Sequence, residues 1–597
     1  MADPKPNFRP RSRGRIHPRN QMRRPPIDRN RLHVFRAPQG DAVRVMVLGG
    51  LEEVGRNCTL IEYKNDIILI DMGLEFPDEE MPGVDYIIPN MSYLKGKEKN
   101  VRGVIITHGH LDHIGGIPHA IPQIGNPPVY ALPMAAGIIR KRQTDFRNSH
   151  ITVKDLTIDT VLQLGVFKVS FIHINHNIPD CAMVVVETPA GNIIHTGDWK
   201  FDFHPVGTKT TDIHKMASWG EKGVTLLMGD STNSNMPGHQ ISEKVIGAEL
   251  YSIIANARGR IIIGTFSSLL SRVTQVIQIA EILGRKIAID GFSMKSNVEI
   301  AIRLSHMQVN PKIFIPIEAV EDYPDDKVLI ICTGAQGEKN AALSRIANDE
   351  HRSIHVKKGD TVIFSSSIIP GNENSVQRLK DTFSRKRAMV IQKEIMDVHA
   401  GGHAKKEDIK LLLTLLKPKY YMPIEGLHFL LRENAEVALA LGYKESDVII
   451  ADNGQVVTVE KDRKGDSIVK LTEERVPAEH VFVDGLGVGD VSQIVLRDRK
   501  TLSDDGVVVI IVQIDKKTGA MIGPPEIMSR GFVQMKDNHE LAEHTKKIVQ
   551  KFAGKDPDPQ SAADTKFIKN TIRDEVGKFL FTKTERRPMV LPVVIEL

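Results

Sequence analysis

Cysteine is scarce in this chain: three in 597 residues, at positions 58, 181 and 332, with no CxxC pair. So widely spaced, they build neither a disulfide framework nor a thiolate metal site, and they suit a reducing cytoplasm. Any metal must then be held by histidine and carboxylate. Long apolar runs are also missing. The longest, such as Val507 to Val512, have the length of a strand, whereas a membrane span needs about 20 residues. The first residues show no apolar core of the secretory type, so neither a signal peptide nor a membrane partner is expected.

What is present is a globular chain, 41% apolar, long enough for about two to four domains. Its net charge of +5 is unevenly spread. Residues 1–36 carry Lys5 and ten arginines against Asp3 and Asp28, so the remainder is net negative by four. This Arg- and Pro-rich, apolar-poor stretch is expected to be a disordered tail with affinity for polyanions, or a solvated leader that aids solubility. Arginine favours RNA among polyanions because its fork binds phosphate and its plane stacks on bases.

From about Val43, short β-rich runs alternate with turns: "VRVMVLGG", "CTLIEYKND", "IILIDMG", "VRGVIITHGH", then "FKVSFIHINH", "CAMVVVETPAGN", "IIHTGDW" and "VTLLMGD". Several end in a carboxylate or histidine followed by a loop, as strands do when they feed a site at one sheet edge. Interspersed helical patterns make an α/β layer sandwich the natural class. Between about Ser242 and Gln392, strand, Gly/Ser loop and helix recur, the pattern of a parallel sheet with loops at its carboxyl edge. The following helix and strand, through "KYYMPIEG", are placed to rejoin the first domain, and a smaller αβ unit closes the chain from about Gly485.

The stretch "ITHGHLDHIGG", Ile106 to Gly116, follows the apolar run Val104 to Ile106. Its histidines and aspartate would be costly at a strand end unless something organised them. His108 and His110, at i and i+2, point the same way, while Asp112 and His113 swing to the other side. The first pair can hold one cation and the second pair another. Two metals roughly 3.5–4 Å apart can activate a water and clamp a phosphoryl group. Distant ligands are offered by His176 in "HINHNIPD" and by Asp198 in "HTGDWKFD", the latter able to bridge.

Asp71, "HGHLDH", His176 and Asp198, in that order, resemble the metallo-β-lactamase fold. The segment containing "GTFSSLLSRVTQ", "CTGAQGE", "SSSIIPGNE" and "HAGGHAKKEDIKLLL" looks like the β-CASP insertion of nucleic-acid-processing members. With "GDSTNSNMPG", "SRGFVQMK" and "RRPMVLPVVIEL", the chain is similar to the bacterial ribonuclease J family over nearly its full length, the basic tail excepted. The resemblance implies an αββα sandwich with an inserted β-CASP α/β domain and a small C-terminal αβ domain. The expected division is a tail at 1–36, the sandwich at 37–241 and 395–465, the insertion at 242–394, a linker at 466–484 and the last domain at 485–597.

It further implies a metal-dependent ribonuclease, 5′-3′ exonucleolytic and also able to cut internally, in RNA maturation and decay. Single-stranded RNA with a 5′-monophosphate would be the substrate. A homodimer or homotetramer and RNA-decay or ribosome-associated proteins are the implied partners. His108, His110 and His176 would hold one divalent ion, Asp112 and His113 the other, and Asp198 would bridge them. Asp71 would orient the motif from behind. His403 and Asp230 would share acid–base work, in an order the sequence leaves open. The run His399, Ala400, Gly401, Gly402, His403 would form a pocket for the 5′-phosphate.

One position departs from the family pattern. Where a His-Gly-Glu run usually supplies the last ligand of the second metal, this chain reads Glu425-Gly426-Leu427. The family implies Zn²⁺, whereas an oxygen ligand at Glu425 would shift preference towards Mn²⁺ or Mg²⁺. His428 could compensate only if its loop rearranged. Three other readings stand beside the ribonuclease: an RNA-binding scaffold with weakened catalysis, a DNA-processing nuclease of the same group, and a small-molecule hydrolase. The retained site positions oppose the first. The long insertion opposes the last, since a small substrate needs no such cover. Contacts to 2′-hydroxyls, which would exclude DNA, are not legible in sequence.

Overall fold

Alternation decides which way each strand faces. In Cys181–Thr188, Ala182, Val184 and Val186 enter one apolar cluster while Met183 and Val185 enter another, the period-2 pattern of a strand buried on both faces. The computed structural model describes residues 40–597 apart from 79–80, 147–149, 370, 393–399, 486, 517–519, 534, 536–537 and 554–564; the basic tail therefore lies outside the described residues.

Two sheets form the first body. The eight-stranded one runs Ser467–Arg475, Gln455–Lys461, Val43–Gly49, Cys58–Tyr63, Asp66–Ile70, Val101–Ile105, Val129–Ala131, Val153–Asp155. The six-stranded one runs Tyr420–Ile424, Leu226–Asp230, Gly191–His195, Cys181–Thr188, Phe167–Ile174, Leu162–Leu164. Val45, Ile61, Ile68 and Ile105 of the first meet Val169, Phe171, Val184 and Met228 of the second in one core. On the outer faces, Met134 and Ala135 of helix Pro133–Gln143 share a cluster with Leu69 and Val104. Trp219 of helix Ile213–Lys222 and Leu412 of helix Lys406–Leu416 share it with Met183 and Leu227. Helix, sheet, sheet, helix is the resulting layer order.

Strand direction gathers the site. In the second sheet, Phe167–Ile174, Gly191–His195, Leu226–Asp230 and Tyr420–Ile424 all run the same way, so His176, Asp198, Asp230 and Glu425 follow or end strands at one edge. In the first, Asp66–Ile70 and Val101–Ile105 are parallel neighbours, which sets Asp71 beside Thr107.

The inserted segment leaves after Asp230 and returns at Tyr420, and these two strands pair directly, Asp230 opposite Ile424. A whole domain thus hangs between adjacent strands. Its sheet is parallel throughout, in the order Lys286–Asp290, Val328–Cys332, Ile261–Gly264, Thr361–Phe364, Met389–Ile391. The strand order reverses around Ile261–Gly264, so the loops beginning at Thr265, Thr333 and Ser365 lie side by side at the carboxyl edge, where open α/β sheets take their ligands. At the C-terminus, Val507–Ile514 pairs with Glu526–Arg530 and Met589–Glu596, and Val508, Ile510 and Val590 pack against Leu541, Val549, Ile572 and Val576 of two helices.

The stretch 466–484, expected as a linker, is instead structured. Ser467–Arg475 forms the edge of the large sheet against Gln455–Lys461, and Val481–Asp484 pairs with Tyr86–Ile88. Its charged, weakly alternating sequence hides the first strand, which pairs with its immediate neighbour Gln455–Lys461, and the partner of the second lies far away in the chain.

Candidate metal centre

Asp71 sits at φ 61°, a left-handed turn that ends its strand. Its carboxylate accepts from Thr107 N and Thr107 Oγ1, both at 2.8 Å, and from His113 Nδ1 at 2.8 Å. Having donated Nδ1–H, His113 turns Nε2 towards the site. Thr107 Oγ1 also accepts from His108 Nδ1 at 3.0 Å, which leaves the lone pair of His108 on Nε2. The close packing needs a glycine: a Cβ on Gly73 would lie 1.5 Å from Asp112 O.

His176 Nδ1 donates to Gly402 O at 2.8 Å, so its Nε2 too carries a lone pair. Both Nε2 atoms lie 3.1 Å from His110 Nδ1, and Asp198 Oδ2 stands 3.6 Å from each. His110 Nε2 is buried without a partner. Burial holds His108 and His176 well below the ordinary histidine range and brings His110 down to about 4. Three neutral imidazoles and a carboxylate oxygen converging in this way fit a cation, because a single Nδ1–H of His110 can answer only one of the two Nε2 lone pairs that face it.

The other oxygen of Asp198 faces the other group. Asp198 Oδ1 is 3.3 Å from His113 Nε2, which is 3.5 Å from Asp112 Oδ2. Burial opposes charge on His113, yet the carboxylates of Asp198, Asp112 and Asp71 hold its pKa well above the usual value. That surplus of negative charge is what a second cation would balance. Two of the ligand-spaced groups among the described residues, His108, His110, His176, Asp198 and Asp112, His113, Asp198, are joined through Asp198.

Glu425, also at positive φ (56°), is buried and neither of its oxygens has a hydrogen-bond partner. It groups with Asp71 and His113, apart from Asp112 and Asp198. Burial, then repulsion from Asp198, pushes its pKa well above the carboxylate range. His428 points away and pairs with Glu52 at 2.9 Å on the surface.

His403 Nδ1 donates to Asp230 Oδ2 at 2.9 Å, and its Nε2 lies 3.9 Å from Asp198 Oδ2. Burial disfavours the imidazolium, but Asp230 and Asp198 outweigh it and push the pKa up to about 9. His403 O accepts from Gln240 Nε2 at 2.9 Å. Of the run before it, Ala400 is buried and Gly402 turns its carbonyl to His176; a Cβ on Gly402 would lie 2.4 Å from His176 Cε1. His399 lies outside the described residues.

Several contributors escaped the sequence reading. Thr107 stands inside the quoted motif, but its bonds to Asp71 depend on a parallel neighbour strand. Asn57 Nδ2 is 3.0 Å from His113 Nε2 and 3.5 Å from Asp112 Oδ2. His195, lowered to about 4 by burial, has Nε2 4.0 Å from Glu425 Oε1. Its place three residues before Asp198, at a strand end, was the available signal.

Comparison with known proteins bears on nearly the whole chain. Residues 51–232 match the metallo-beta-lactamase superfamily, 258–383 the ribonuclease J beta-CASP domain and 494–597 the ribonuclease J C-terminal domain. The chain is 39% identical over 557 residues to ribonuclease J 1 of Streptococcus pyogenes serotype M3, covering 93% of this chain and 97% of that protein. It is 36% identical to ribonuclease J2 of Bacillus subtilis (93% and 99% covered) and 36% identical to ribonuclease J of Thermus thermophilus (93% and 96%).

Proposed function

The chain belongs to the ribonuclease J family, and from that premise we propose that it is a metal-dependent ribonuclease that shortens single-stranded RNA from a 5′-monophosphate end and also cuts internally, in RNA maturation and decay. The fold is the metallo-β-lactamase αββα sandwich carrying an inserted β-CASP domain and a C-terminal αβ domain.

One observation carries the chemistry: the two oxygens of Asp198 face two separate ligand groups, with the His403 imidazole alongside. His108, His110, His176 and Asp198 would hold one divalent cation; Asp112, His113 and Asp198 would hold the other, with Glu425 behind His113 in reach of the same charge. Bound there, the cations supply a lowered water pKa and positive charge against the phosphodiester. Asp71 fixes the tautomer of His113, and the Gly402 carbonyl fixes that of His176. His403, which Asp230 favours in its charged form, is the proton donor to the departing 3′-oxygen, and the Asp230 carboxylate holds its ring in place. The Ala400–Gly402 turn beside it receives the 5′-phosphate.

The imidazole-rich group favours Zn²⁺; a contribution from Glu425 favours Mn²⁺ or Mg²⁺ at the second position. A cytoplasmic homodimer or homotetramer acting with RNA-decay or ribosome-associated proteins is the cellular setting we propose. Among the described residues no helix is long and apolar enough to cross a membrane. The test is a time course on 5′-monophosphorylated, end-labelled RNA with Mn²⁺, Mg²⁺ or Zn²⁺ added to metal-stripped protein. Mononucleotide release that depends on added metal supports the reading. Equal rates on 5′-triphosphorylated RNA would remove the pocket, and the absence of any cleavage would remove the function.

A further inference from the structure

The seam between the sandwich and the inserted domain holds four buried charges. Glu243, 2% exposed, is the first residue of helix Glu243–Asn256 in the inserted domain. Asp202 of the sandwich crosses to it, accepting from Glu243 N at 3.1 Å and from Ser242 Oγ at 2.6 Å. Lys200, 1% exposed, sets Nζ 3.7 Å from both Asp202 Oδ2 and Glu243 Oε1. On the other side, Arg272, fully buried, donates from Nη2 to Glu243 Oε2 at 2.8 Å and from Nη1 to Ser365 Oγ at 2.5 Å.

These contacts lead to two functional segments. Lys200 follows Asp198 by two residues, and its N–H donates to Asn175 O at 2.8 Å, one residue before His176. A cavity of about 10 Å³, lined by His176, Asn177, Ser271 and Glu243 among others, abuts the same carboxylate. Ser365 opens the loop "SSSIIPGNE" at the carboxyl edge of the inserted sheet, and its carbonyl accepts from Thr265 Oγ1 at 2.9 Å. One carboxylate therefore ties the strand ends bearing His176 and Asp198 to the Ser365 loop. A buried charge of this kind must keep its partners, since removing one leaves another uncompensated.

We propose that Glu243 is a positioning residue for RNA hydrolysis: through Lys200 and Arg272 it holds the metal-ligand loops and the Ser365–Ile369 loop in register, so that RNA gripped by one domain meets the cations held by the other. The proposal rests on the ribonuclease reading for its consequence, though not for its structural core.

The test compares full-length wild type, Glu243→Gln, the double variant Glu243→Gln with Arg272→Met, and Glu243→Asp. Glu243→Gln removes the carboxylate charge that faces Arg272 and one of the two that face Lys200, and should lower the melting temperature. The double variant leaves Lys200 paired with Asp202 and should recover much of that loss. Hydrogen exchange of the 365–369 amides in metal-free, RNA-free protein should nevertheless quicken about tenfold in the double variant, and remain near wild type in Glu243→Asp. On 5′-monophosphorylated RNA the double variant should show a KM about tenfold higher, with kcat lowered no more than about twofold. Wild-type exchange in a double variant that has recovered its stability overturns the proposal, whether or not RNA is the substrate. Quickened exchange alongside a wild-type protein that cleaves no RNA with any of the three metals upholds the register and sinks the functional reading instead.

Discussion

The Nδ1–H of His403 is held by Asp230 Oδ2 at 2.9 Å, joining the segment that returns from the inserted domain to the strand end from which that domain departs. The pair makes stability depend on pH. The folded pKa of about 9 exceeds the ordinary 6.5, so the stabilisation is fully present below about 6.5 and is lost as pH rises towards 9. Asp230→Asn should flatten most of that loss in metal-free protein, as read from urea denaturation at a series of pH values. In metal-loaded protein, His403→Ala should slow hydrolysis at least about 100-fold.

His110 faces the other two imidazoles with Nδ1, so His110→Ala should empty one cation position. Hydrolysis should nearly vanish while RNA binding changes less than about threefold, because on the proposed reading the residue holds a cation and not the RNA backbone. Gly402→Ala should act in the same direction, since its Cβ would press on His176. Metal content measured on the purified variants checks both; wild-type stoichiometry with full turnover would falsify the binuclear account.

Glu425 separates two cases by the sign of a stability change. With both oxygens buried and unpartnered and a raised pKa, it costs stability in the metal-free protein once pH passes the ordinary carboxylate value of 4.5, where the unfolded chain has already ionised. Glu425→Gln should therefore stabilise metal-free protein at neutral pH, and the gain should fade below about pH 4.5. In metal-loaded protein the change should reverse, and Glu425→His should raise Zn²⁺ affinity. An unchanged sign, with unaltered metal affinity, leaves Glu425 outside the coordination shell.

Deleting residues 1–32 removes Lys5 and nine arginines. RNA binding should weaken, and its salt dependence should become shallower by roughly one unit of log–log slope for each phosphate that the shortened chain no longer neutralises. Turnover of a short RNA at saturation should barely change. Filter binding at a series of salt concentrations decides, and an identical slope reduces the tail to a solubility leader.

The residues of the site were largely legible because the chemistry sits in contiguous runs: "HGHLDH" places four ligand-type side chains within six positions, and a turn after a strand can only splay them to two sides. Strand alternation likewise marked the sandwich, and strand–loop–helix recurrence marked the inserted parallel sheet. Long-range pairing decided the rest. That Asp198 divides its oxygens between two groups, that Thr107 bonds Asp71, and that Gly402 selects the tautomer of His176 all depend on which strands lie side by side, over separations of up to 226 residues. The same dependence hid the strand Val481–Asp484, which pairs with Tyr86–Ile88, inside the stretch 466–484 that looked like a linker. It also turned Glu425 towards Asp71 and His113, and His428 out to Glu52. Local sequence determines what a segment can offer; the direction in which a side chain offers it is set by the backbone hydrogen bonds of strands that meet only once the chain has folded.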